Sequence, residues 1–212
     1  METPSEPEAS QLLTSTGQRQ NFSAGDMKFV DLNGDKCISK ADMTEIGDPN
    51  PDIYGNINTS LSYKRLKLDL VFNYSVGGDI YNYQRSLLEG GSYFYNQTTA
   101  MLHRWQYEGQ QTDIPRASYL DVMGNSRFSD RWIEDGSYLK LKNVTLSYNI
   151  PIRSTYLQGI TVWGAANNLF TITKYLGSDP EFSMSNSVLG MGIDRGLHAP
   201  GRSFSLGVKI NL

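Results

Sequence analysis

Residues 31–42 read DLNGDKCISKAD, and their spacing is that of a metal loop. Asp31, Asn33 and Asp35 fall at its first, third and fifth positions, Ile38 at the eighth, Ser39 at the ninth and Asp42 at the twelfth. Calcium takes several hard oxygen ligands from one tight loop, and this spacing converges them. Asp31, Asn33, Asp35 and Asp42 are therefore the candidate metal ligands, and calcium the candidate cofactor. Two positions depart from the pattern. Lys36 stands where a glycine makes the sharp turn, and Asp42 is shorter than the bidentate Glu. The competing reading is a set of Asx turns on a solvated loop. Farther on, Trp105 and Tyr107 lie in an aromatic-rich stretch of the kind that stacks on flat ligand faces, so they are the candidate substrate-binding residues. Nothing points to catalysis. His103 and His198 are far apart, and no nucleophile motif surrounds Cys37 or any serine. Asp130, Glu134 and Asp135 offer a carboxylate pair as glycoside chemistry requires, but beside Arg131 they read more simply as solvated groups at a strand start. The chain is read as no enzyme.

The elements that must position these groups are strands. The 212 residues include twenty Gly, thirteen Tyr, eight Phe and three Trp, a mixture that suits β-structure with aromatic loops. A net charge of −3 gives no reason to expect nucleic acid as a partner. No run approaches the roughly 18 apolar residues of a spanning helix, which leaves a β-barrel open, since only alternate residues of its strands need be apolar. With a single cysteine, Cys37, no intrachain disulfide forms. Residues 1–23 lack a basic start and an apolar run, so no signal peptide is expected there.

The last residues, RSFSLGVKINL, set the pattern: Phe204, Leu206, Val208, Ile210 and Leu212 alternate with Ser203, Ser205, Gly207, Lys209 and Asn211. Similar alternation runs through Ile53–Tyr63, Leu66–Ser75, Tyr138–Ile150 and Ile160–Thr173. Lys64-Arg65 reads as a hairpin turn. In Tyr138–Ile150 the apolar phase changes half-way: Val144, Leu146, Tyr148 and Ile150 share a face with Lys140 and Lys142, as in a strand leaving a bilayer. Residues 76–135 and 174–201 are long connections, with a short helix expected in Gln97–Tyr107. Pro151–Gly159 is a short one. Short and long connections thus alternate, as periplasmic turns and extracellular loops do in outer-membrane barrels. Tyr63 and Tyr148 at the short-turn ends, and Tyr74 and Phe204 at the long-loop ends, match two aromatic girdles. The fold class expected is all-β: an antiparallel transmembrane β-barrel fragment of about five strands. Residues 1–23 are read as a polar disordered or loop segment, and residues 24–212 as barrel. The alternative is a soluble β-sandwich carbohydrate-binding module.

The blocks GDMKFVDLNGD (Gly25–Asp35), GDPNPD (Gly47–Asp52), SDRWIEDGSYLKLKNVTLSY (Ser129–Tyr148) and NNLFTITKYLGSDPE (Asn167–Glu181), with the closing RSFSLGVKINL, resemble the C-terminal barrel of SusC/RagA-type TonB-dependent transporters. The resemblance covers Ala24 to Leu212. It implies a barrel of about 22 strands with a plugged lumen, set in outer-membrane lipid. It implies import of oligosaccharides, peptides or similar nutrients across the outer membrane of Bacteroidetes-type bacteria. The partners it implies are a SusD-like surface lipoprotein and the TonB complex, reached through a missing N-terminal part. The plug and TonB box are not among these residues, Lys36 replaces the glycine of the family's NGDG stretch, and Leu212 stands where such barrels usually end in an aromatic residue. The chain is expected to be a fragment beginning at an internal Met.

Overall fold

The computed structural model describes residues 11–14, 17–152, 159–181 and 190–211. The chain divides into two units, Met1–Ile46 with Asn82–Trp132 and Gly47–Tyr81 with Ile133–Leu212.

In the first unit β1 (Gln11–Leu13), β2 (Arg19–Asn21) and β3 (Cys37–Ile38) form a small sheet of order β2-β1-β3. Leu12 explains it: buried with Ile38 and Met123, and flanked by Phe22 and Phe29, it is the one apolar anchor its strand needs. Part of the segment read as polar loop or disorder is thus strand, because three residues around one leucine carry no detectable period. Residues 1–10 and 15–16 lie outside the described residues. The long stretch after residue 82 opens with α1 (Tyr83–Leu88), capped by the Asn82 side chain, which accepts from the Arg85 N–H at 2.9 Å. A 3-10 helix at Thr99–His103 lies within the expected helical stretch. Trp132 is fully buried and donates its indole N–H to the Arg127 carbonyl at 2.9 Å. The guanidiniums of Arg131 and Arg85 lie 4.4 and 5.5 Å from its ring centroid.

The second unit holds β4 (Pro51–Tyr63), β5 (Leu66–Gly77), β6 (Asp79–Asn82), β7 (Ile133–Asp135), β8 (Tyr138–Ile150), β9 (Gly159–Thr173), β10 (Ile193–Asp194) and β11 (Ser203–Asn211). Three short strands form a sheet of order β10-β6-β7; the five long ones form a second, of order β11-β9-β8-β5-β4. Every neighbouring pair in the long sheet is antiparallel. The long strands are neighbours in the order they occur along the chain, whether a turn or a long loop joins them, and β4 and β11 are the two edges. The turn at Lys64-Arg65 closes with Lys64 at φ 54°, in the left-handed region such hairpins use. Residues 153–158, most of the turn expected at Pro151–Gly159, lie outside the described residues, as do 182–189 of the last connection and Leu212.

One expectation is corrected. The phase change in β8 comes from a β-bulge and not from a change of surroundings. Val71 pairs with Asn143 and Phe72 with Leu141, so Lys142 has no partner on β5. The extra residue puts Leu139 and Leu141 on the same face as Val144, Leu146, Tyr148 and Ile150. It turns Lys140 and Lys142 onto the polar face with Asn143 and Thr145. The apolar face is therefore continuous across the strand. It is also open: Leu206 is 90 % exposed, and Val208, Ile210, Leu146, Leu61 and Ile57 are exposed as well. A soluble sandwich would lay a second sheet over it; among the described residues none covers it.

Candidate functional site

The opposite, polar face of the long sheet carries a ladder of side-chain hydrogen bonds. Thr145 Oγ1 donates to Asn143 Oδ1 (2.9 Å), Asn143 Nδ2 to Asn167 Oδ1 (2.8 Å), and Asn167 Nδ2 to Ser203 Oγ (3.0 Å). Ser60 Oγ donates to Asp69 at 2.6 Å on the β4–β5 pair. Apart from Thr145 and Asn143, which are two residues apart on β8, these are cross-strand partners that the alternation brings together.

At the end where the long connections leave, the residues after β9 fold back over this face. Lys140 is almost fully buried and bonds to Asp179, and its Nζ lies 3.1 Å from Glu181. Lys142 reaches the same Glu181 oxygen at 2.8 Å, and Asn73 donates to the other at 2.9 Å. A buried ammonium is costly unless paired and hydrogen-bonded, so this clasp holds the connection to the sheet. Burial raises the Glu181 pKa, but hydrogen bonds from Lys142, Asn73 and Lys140 outweigh it and hold the carboxyl below its usual range. The same connection is fastened again where Tyr175 donates to Asp194 and where Glu134 accepts the Leu176 N–H at 2.8 Å. Burial, with Asp194 and Glu134 adding to it, pushes the Tyr175 phenol well up.

Beside the clasp lies a cavity of about 440 Å³. Its wall is a single row of the sheet. Tyr54 on β4 stands opposite Ser75 on β5, and Ser75 opposite Tyr138 on β8. Asp79, Glu181 and Gly192 also line it. Sequence reasoning missed this site. The two-residue turn fixes the Tyr54–Ser75 pairing and made half of it legible; the long connection before β8 hid the other half.

The residues expected from sequence fall in the first unit. Tyr107 is exposed, whereas the Trp105 ring packs on Gly25 so closely that a Cβ there would sit 2.4 Å from it. Among other exposed aromatics, Tyr93 lies 5.5 Å from Tyr95 and Phe94 5.4 Å from Tyr119. In the Asp31–Asp42 loop, Asp31 accepts the N–H groups of Gly34 (2.8 Å) and Lys36 (2.7 Å). Asp35 accepts that of Cys37 (2.8 Å), and Asp42 those of Leu32 (3.0 Å) and Ser39 (2.7 Å). Slight burial raises the Asp42 pKa, yet these amides and that of Asn33 hold it below its usual range. Lys36 has φ 65°, so it makes the left-handed turn a glycine would. The donors are all hard oxygens, as calcium wants. Each carboxylate is also engaged by backbone N–H groups, Asp35 in an Asx turn and Asp42 in a capping box with Ser39, and among the described residues no three His, Cys, Asp or Glu side chains are grouped to hold a metal ion.

No family model matches the chain. TonB-dependent receptor P3 of Formosa agariphila is 38% identical over 190 residues, covering 86% of this chain and 18% of that protein. TonB-dependent receptor P26 of the same organism is 31% identical over 209 residues, covering 93% and 21%. Among solved structures, the RagAB peptide importer in its open-open state superposes with a TM-score of 0.64 at 28% identity, over 77% of this chain and 17% of that one. Its closed-closed state gives 0.69 at 25% identity, over 93% and 20%. These residues are part of the barrel of a SusC/RagA-type TonB-dependent receptor. TonB-dependent receptor SusC of Bacteroides thetaiotaomicron, 27% identical over 188 residues, belongs to the same set. The chain spans about a fifth of the length of these receptors. An open five-stranded sheet is the form such a portion of a receptor barrel takes, and its uncovered apolar face is of the kind that such barrels turn to lipid.

Proposed function

We propose that the whole protein is an outer-membrane importer that takes up oligosaccharides, peptides or similar nutrients. A SusD-like lipoprotein caps it at the cell surface, and the TonB complex powers it. The observation that carries this reading is the long sheet, whose exposed apolar face backs a polar face joined by hydrogen bonds. That is the wall a substrate-conducting barrel requires, and the relatives make the same shape. The polar face and the loop aromatics, Tyr107 among them, are the surfaces substrate meets. Trp105 serves by holding its loop against Gly25. Deleting the gene and measuring uptake of oligosaccharide and peptide mixtures, with fractionation of the tagged protein, tests the reading. It fails when no uptake is lost, or when the protein does not fractionate with the outer membrane.

Calcium at Asp31, Asn33, Asp35 and Asp42 belongs to the same proposal. The left-handed Lys36 at the loop's sixth position supports it. Protection of the loop from proteolysis is expected to rise with added calcium and to vanish in Asp31→Ala. Calcium-independent cleavage of the wild type leaves only the Asx turns.

A further inference from the structure

We propose that Tyr54 and Tyr138 are the two walls of a subsite that holds one neutral sugar ring of the transported ligand. The inference rests on the importer reading and names a ligand class and residues for it. The two tyrosines share one face and one row, separated only by Ser75. Strands lie about 4.8 Å apart, so their backbones are roughly 9–10 Å apart across β5. A flat ring between two aromatic faces needs about 7–8 Å, two contacts of about 3.5–4 Å. The gap thus admits one ring, and the small, buried Ser75 forms its floor.

The rim selects the kind of ring. Asp79 and Glu181 line the cavity. Asp79 accepts the Asp48 N–H at 3.0 Å and keeps further acceptor capacity, whereas Glu181 Oε2 is taken by Lys140 and Lys142, and Glu181 Oε1, which accepts from Asn73, keeps one lone pair. Acceptors around a stacking slot suit a ring that is apolar on its faces and carries hydroxyl donors at its edge. That describes a pyranose. A phenyl side chain offers the faces without the donors, and an acidic sugar is repelled by Asp79, the Glu181 charge being offset by Lys140 and Lys142.

The full-length transporter, purified in detergent, is titrated calorimetrically with glucan, xylan and mannan hexasaccharides and with oligogalacturonate. The expected result is binding of a neutral hexasaccharide that Tyr54→Ala and Tyr138→Ala each weaken about tenfold or more. Tyr54→Phe and Tyr138→Phe, which keep the ring, stay close to wild type. Tyr54 is 76 % exposed, so its truncation removes no core packing and tests the slot in a folded protein. Unchanged affinity in both alanine variants overturns the subsite, as does binding of oligogalacturonate alone or of no hexasaccharide. Peptide binding without sugar binding also overturns the subsite while the importer reading stands. Uptake unaffected by loss of the gene is the separate failure of that reading.

Discussion

Leu206→Arg is the sharpest test of which face meets lipid. Leu206 is the fourth of the nine residues of β11 and the most exposed of its apolar residues. It lies one residue, about 3.3 Å of rise, from the strand's midpoint, so a charge placed there is expected near the middle of the span. Its partner on β9 is Gly164, and the same row continues through Leu146, Leu68 and Leu61. An arginine there has no polar neighbour in its row and the longest path to either interface. The expected cost is at the upper end of the roughly 2–4 kcal/mol seen for lipid-facing arginines. Ser205→Arg sits one residue away but turns to the polar face, in the row of Ala165, Thr145 and Asp69. Its cost should stay within about 0.5 kcal/mol. The full-length protein is refolded into phosphatidylcholine vesicles and unfolded with urea, with tryptophan emission as the signal. Equal costs at the two positions, or a larger one at Ser205, refute the face assignment.

Three further outcomes are expected. Lys140→Met leaves Asp179 without its buried cation, and removing one member of a buried pair costs about 3–5 kcal/mol; hydrogen exchange at residues 174–181 should rise sharply while the strands stay protected. The Glu181 pKa is lowered by its clasp, so its contribution is present above the usual glutamate range and is lost as pH falls through the lowered value; limited proteolysis of the connection at a series of pH values below about 4.5 reads this. Trp132→Ala removes a fully buried ring stacked with Arg131, at about 3–5 kcal/mol; the melting temperature of the full-length receptor reports it. Arg131, whose pKa burial pushes down to about 10 with Arg85 adding and Glu89 opposing, should then be harder to deprotonate, because the lost ring admits solvent and relieves that burial; NMR of the labelled guanidinium detects this.

The five long strands were legible because alternation over nine or more residues is a strong signal. Their ends fall within two residues of the expected positions: Tyr138–Ile150 coincides, and Leu66–Ser75 extends to Gly77. The sequential order of the long strands is what results when each connection, turn or loop, joins neighbours. What escaped has specific causes. The Leu12 strand is too short to carry a period. The bulge at Lys142 mimics a change of environment, because one inserted residue inverts the alternation on one side of it. The clasp joins Lys140 to Asp179 across a turn of chain that no periodicity spans. Among the candidate residues, Tyr107 is exposed and Trp105 is half-buried with its ring against Gly25. Tyr54 and Tyr138 come together only through a register that runs across β5.

The bulge also bears on how such strands change over generations. Lys142 pairs with nothing on β5, so the two halves of β8 keep their faces whether that residue is present or not. Losing it would leave Leu141 and Val144 toward lipid, and Lys140 and Asn143 inward. A one-residue gap in the middle of a membrane strand would ordinarily turn half of it inside out. Here the faces would be kept, at the loss of the Lys142–Glu181 contact, and an alignment of relatives is expected to open its gap at this position.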